Sequence, residues 1–327
     1  MEPRMSSHLS RNALYAIVLL AVAPATALAS SEHPTPNFTG PLVTPAVNTL
    51  PAGMLNVEPY LIYTNVRGHY GNAGSRHTRH DHARQWQVAL PMIYGLGDTT
   101  ALQLTLSAAR TSTHGGHTDG MRMGDSAVRV QQRLTGAGDS GTGWVTAVSL
   151  TQRLPTGQYH HLDTNPLNGL GNGMARTTLA YGVQKLQWLP DGQALRWRGQ
   201  VAWSPSPGPI HVHGTSVYGT GRGFHGNVRQ GQAWNASAAA EYALNAQWVL
   251  VAEAIFNRTG TVHVAGSDAW GRYRHYDHNP TEELSLAPAV EYHFSPTMGL
   301  IAGVQFTVAG RNAPAYVAPQ AALNMVF

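Results

Sequence analysis

Cysteine is absent, charge is scarce, and no long apolar run occurs after the first thirty residues. Without cysteine an exported chain cannot be a disulfide scaffold, so a large closed structure must supply the stability. Charged side chains make up 12% of the 327 residues, against roughly 25% in ordinary soluble domains. Beyond the N-terminus no segment reaches the run of about 18 apolar residues that a membrane helix requires, which excludes helical spans.

What is present begins with an export signal. Arg4 and Arg11 give a positive start, Ala13 to Ala23 is almost unbroken apolar sequence, and Ala27-Leu28-Ala29 is an A-x-A cleavage site. Residues 1–29 are therefore expected to be a secretory signal peptide cut after Ala29. The apolar run is too short for an anchor of about 20 residues. Residues 30–52 contain Pro34, Pro36, Pro41, Pro45 and Pro51. They read as a periplasmic arm, or as a segment tucked into a barrel mouth.

From Gly53 to Phe327 a period of two recurs twelve times, the pattern of strands with one apolar and one polar face. In Glu282–Phe294, the residues Leu284, Leu286, Pro288, Val290, Tyr292 and Phe294 alternate with Glu283, Ser285, Ala287, Ala289, Glu291 and His293. Arg84–Tyr94 sets Trp86, Val88, Leu90, Met92 and Tyr94 against Gln85, Gln87, Ala89, Pro91 and Ile93. Leu102 to Ala109 and Leu195 to Trp203 alternate likewise. The other strands are expected at 53–64, 124–134, 143–154, 174–188, 232–244, 247–257, 298–309 and 316–327. Trp and Tyr recur at the ends of the apolar faces, as in the girdles of membrane barrels and unlike a soluble sandwich. Lys185 falls on the apolar face of its strand, which a bulge or a snorkelling lysine would reconcile. The chain ends in Leu323, Met325 and Phe327 on one face, resembling the terminal signal read by the outer-membrane assembly machinery.

Short turns follow the even strands and long loops the odd ones, except for a short connection after the eleventh. That predicts an all-β, transmembrane, antiparallel up-and-down barrel of about twelve strands in the outer membrane of a Gram-negative bacterium, both termini periplasmic. Lipid and the barrel-assembly machinery are its expected partners. Gly219 to Gly223 follows no strand into a helix, so a nucleotide site is not expected, and no nucleic-acid partner is implied.

By parity, Arg129, Arg133, Arg153, Arg196 and Arg198 point into the lumen from strands four, five and seven, and Glu58, Glu241, Glu253, Glu283 and Glu291 from strands one and eight to ten. Two opposing arcs would set a transverse field along a solute path. The alternative is a wall stabilised by ion pairs. Fourteen of the 17 histidines fall in the predicted outer loops. His77, His80 and His82, and His275 and His278, combine imidazoles with Asp81 and Asp277, donors that borderline metals prefer. A hydrolase would instead need a Ser–His pair on the wall or Asp–His pairs above the rim, such as Asp81/His82 and Asp277/His278. No strand histidine faces outwards, His293 pointing in.

The arm from Thr44-Pro45 through Leu50-Pro51-Ala52-Gly53 to Glu58-Pro59-Tyr60, together with Gly124-Asp125 and Leu154-Pro155-Thr156-Gly157, resembles the outer-membrane family of the MetA pathway of phenol degradation. The resemblance implies a channel-like transporter, with aromatic or other small hydrophobic compounds as solutes. The sequence thus points to a channel for small solutes without cofactor or catalysis. A surface metal-binding barrel is the second reading and a hydrolase the third.

Overall fold

A computed structural model describes residues 36–138 and 140–327. The expected signal peptide and residues 30–35 lie outside the described residues. Twelve antiparallel strands make the barrel. β1 has two pieces, Leu55–Val57 and Tyr60–Tyr70. There follow β2 (Arg76–Gly97), β3 (Thr100–Thr113), β4 (Ser126–Thr135) and β5 (Trp144–Leu154). Then come β6 (Arg176–Trp188), β7 (Ala194–Ser204), β8 (Ala233–Ala243) and β9 (Trp248–Thr259). β10 is again in two pieces, Thr281–Leu286 and Ala289–Ser295, before β11 (Met298–Arg311) and β12 (Pro314–Val326).

Each strand pairs with the next, and β12 returns to β1 from Asn56↔Val326 to Val66↔Tyr316. Leu55 and Phe327 complete the seam with two backbone hydrogen bonds of 3.0 and 2.8 Å. Closure leaves the barrel wall no free edge, which is what lets a sheet cross a bilayer. Both interrupted strands break at a proline, Pro59 and Pro288, which lacks the N–H a ladder needs. The register resumes unshifted past each break, as at Val57↔Met325 and Tyr60↔Ala322.

The pleat sorts the faces as the alternation demands. Leu104, Leu150, Leu179, Val201 and Leu300 are exposed outwards, whereas Gln131, Ser149, Glu241 and Glu291 are buried inwards. Trp86, Trp203 and Trp234 ring the exterior at the loop end; Tyr94, Trp144, Trp248 and Phe294 ring it at the short-turn end. This apolar band between two aromatic girdles makes the chain an outer-membrane barrel. The strand carrying Lys185 has no bulge. Lys185 sits opposite Trp144, the first residue of β5, with its ammonium 5.4 Å from the indole centroid. The charge is thus at the membrane edge, where a lysine can snorkel.

Three of the long connections contain strands where plain loops were expected. β1 and β2 run on above the girdle and meet in a turn at 71–75, so the long first loop is a projecting hairpin. Between Val66↔Ala83 and Gly68↔Thr78, residues 79–82 of β2 are left unpaired. Charged and imidazole side chains there masked a strand because both of its faces meet water. The loops after β7 and β9 are also structured. Ile210–His213, His225–Gln230, Val262–Ser267 and Tyr273–His278 form a separate four-stranded sheet. Its inner face (Val212, Val228, Val264) packs on Met174, Tyr218 and Phe224.

Candidate functional site

The lumen contains the arm. Of residues 36–52, Phe38 and Asn48 line one pocket beside the β4–β5 short turn, and the bend at 42–44 reaches Glu253 in the middle of β9. Thr49 Oγ1 donates to the Asp98 carbonyl in a short turn (2.8 Å), Val47 packs on Val145 and Ala147, and Leu42 packs on Val249, Val251 and Ile301. A bare backbone in a protein interior must satisfy its donors. Prolines at 36, 41, 45 and 51 remove some of them, and two wall carboxylates take others. Glu253 accepts from the N–H groups of Leu42 (2.7 Å), Val43 (3.2 Å) and Thr44 (2.8 Å). Glu291 accepts from those of Thr39 (2.8 Å) and Gly40 (3.2 Å). Pro41 separates the two sets. Charge-assisted bonds of this kind are about twice as strong as neutral ones.

A second anchor is ionic. Both nitrogens of a fork on Arg196 donate to Glu241, and Arg198 Nε lies 2.9 Å from the same carboxylate. The Phe38 ring covers the Arg196 guanidinium at 4.0 Å, adding a cation–π contact. Gly40, at φ 114°, lies against Arg198, where a Cβ would come within 3.2 Å of a guanidinium nitrogen. Glycine therefore suits both the backbone and the close approach.

Arg196 on β7 is the register partner of Glu241 on β8, and Arg198 reaches the same carboxylate, so the basic and acidic sides meet at this seam. Glu253 and Glu291 point inwards but engage the arm. Arg129 donates to Gln131 at 2.5 Å. Arg133 reaches the Asp98 carbonyl at the short-turn rim, 2.8 Å away. Arg153 is exposed at the loop-end rim, paired with Arg176. Glu283 accepts from the Tyr316 hydroxyl at 2.8 Å. Glu58 lines a cavity of about 180 Å³ between the arm and the wall, together with Leu42, Val43, Tyr60, Ile93 and Arg129.

The histidines divide by pleat. His77 meets Ser75 (3.0 Å) and stacks on His69, while His80 and His82 lie in the unpaired stretch. His278 turns to the carbonyl of Tyr218 (3.0 Å), away from His275. Asp277 instead meets His263 and His275, at 2.8 and 3.7 Å. The sequence missed His263 because its partner lies across a hairpin. It also missed Asp125, which accepts from the N–H groups of Gly157 (3.1 Å) and Asn172 (3.0 Å). Here the Gly124-Asp125 and Thr156-Gly157 motifs join. A Cβ on Gly157 would fall 2.7 Å from Gly171 Cα.

A closed barrel with an apolar exterior and a chain segment inside its lumen defines an outer-membrane channel-type fold. The family model described as the putative MetA-pathway of phenol degradation matches residues 69–318, and the protein belongs to this family. Among solved structures it is similar to an outer membrane channel from Pseudomonas putida F1, with a TM-score of 0.60 and 16% identity over 86% of this chain and 98% of that one. More distant barrels are the translocator domain of the autotransporter NalP from Neisseria meningitidis (TM-score 0.43, 12% identity, 84% and 89% of the two chains) and the toluene transporter TodX of Pseudomonas putida (0.36, 11%, 84% and 90%). No curated protein sequence matches this chain.

Proposed function

We propose that the protein is an outer-membrane channel for small solutes, passing single-ring aromatic and other small hydrophobic compounds. The observation that carries this reading is the lumen itself. It holds an arm bound through hydrogen bonds to two wall carboxylates, and release of that arm would open it. The cavity beside the arm is about 180 Å³ and is lined by apolar residues together with Glu58, Arg129 and Arg198; its volume is that of a void that accepts a single aromatic ring, roughly 150 Å³. Family membership agrees with this solute class. No catalytic role or cofactor belongs to this reading. Asp277 meets His263 and His275, whereas its sequence neighbour His278 turns to the Tyr218 carbonyl.

In this reading the short-turn end and both termini face the periplasm. The exterior contacts outer-membrane lipid, and the exposed terminal Phe327 is the feature offered to the assembly machinery. Purified protein in planar bilayers tests the proposal. Wild type should show small or infrequent conductance steps. Glu253→Gln combined with Glu291→Gln, which weakens the arm's anchors and removes negative charge, should show larger or more frequent steps with selectivity moved towards anions. Absence of discrete conductance from both would reject it.

A further inference from the structure

Alternation places His211, His213, His225, His263, His275 and Asp277 on the outer, exposed face of the loop sheet, opposite the valines of its packed face. At one edge three of them converge. His263 and Asp277 are cross-strand partners, and His275 lies two residues from Asp277 on the same face. His263 Nδ1 is 2.8 Å and His275 Nε2 3.7 Å from one carboxylate oxygen of Asp277. The three ligand atoms all lie within 4.8 Å of one another.

We propose that His263, His275 and Asp277 bind a borderline divalent cation, Zn²⁺ foremost, with the remaining position open to water. Metal–ligand bonds of about 2.0–2.1 Å in a tetrahedron place neighbouring ligand atoms roughly 3.3 Å apart, a value bracketed by the two observed separations. Two imidazoles and one carboxylate suit Zn²⁺, Cu²⁺ or Ni²⁺, whereas Ca²⁺ and Mg²⁺ favour oxygen alone. Arg274, a sequence neighbour that would repel a cation, points to the other face, where Asp268 holds it at 2.8 Å. Arg229 is the cross-strand neighbour of His263 on the same face, so its charge opposes the ion. A bound cation would clamp Val262–Ser267 to Tyr273–His278 and stiffen the structured loop between β9 and β10.

The test is calorimetric titration of ZnCl₂ into the full-length protein in detergent at pH 7.5, with folding followed by heat-dependent gel mobility. Wild type should bind one tight equivalent. His263→Ala and Asp277→Asn should each weaken it at least tenfold, His80→Ala/His82→Ala should leave it unchanged, and Arg229→Gln should tighten it. No stoichiometric uptake, uptake indifferent to His263→Ala in the folded barrel, or uptake lost in the His80/His82 variant would overturn the assignment.

Discussion

Glu241 has two guanidinium partners, whereas Glu253 and Glu291 engage backbone N–H groups of the arm. All three are buried, so in each case the compensation decides what the residue does. Removing one member of a buried ion group strands the others, at a cost of about 3–5 kcal/mol. Glu241→Gln should lose about that much stability in urea unfolding from detergent, while Arg153→Gln, at the exposed rim, should change it by less than about 0.5 kcal/mol. Equal losses would mean that the Arg196–Glu241–Arg198 group carries no special weight. Parity alone showed that these side chains face inwards. Their partners were hidden: Glu253 bonds to residues about 210 positions earlier, and no local pattern encodes that meeting.

Strands were legible wherever one face met lipid and the other met the lumen, because that asymmetry writes itself into every second residue. Legibility failed above the membrane. The β1–β2 hairpin and the loop sheet contain strands whose outer faces carry His and Arg, and short strands among turn residues read as loop. In that region His160 Nδ1 accepts the His213 N–H at 3.2 Å, which requires that nitrogen to be unprotonated. Burial, with His161 and His213 close by, holds the His160 pKa below the usual histidine value. A base with a depressed folded-state pKa favours the closed loop fully above its unfolded value of about 6.5, and this contribution is lost as pH falls below that point. Amide exchange at 210–215 should therefore lose protection between pH 7.5 and 5.5 beyond the intrinsic pH effect. His160→Asn, which keeps an acceptor that does not titrate, should flatten the change. An identical pH response in both proteins would remove His160 as the cause.

Across the whole molecule, closure at the β12–β1 seam and occupation of the lumen by the arm work together. A twelve-strand wall leaves space that one bent segment can occupy, and prolines reduce the donors the arm must satisfy there. The fold class and approximate strand count followed from periodicity, and the resemblance pointed to the family. The arm's depth in the lumen did not, since it depends on wall carboxylates brought together only by the full register. Orientation can be checked on cells: an epitope near Gly219 should be labelled on intact cells, and one beside Asp191 only after permeabilisation. The reverse pattern would invert the barrel. The most direct measurement of solute passage is the initial uptake rate of a radiolabelled single-ring aromatic, in cells lacking this protein and in the same cells complemented with it, at solute concentrations low enough for the outer membrane to limit entry. Complementation should raise the rate, and Glu253→Gln combined with Glu291→Gln should raise it further at equal surface abundance. Identical rates with and without the barrel would contradict its role as a channel for such compounds.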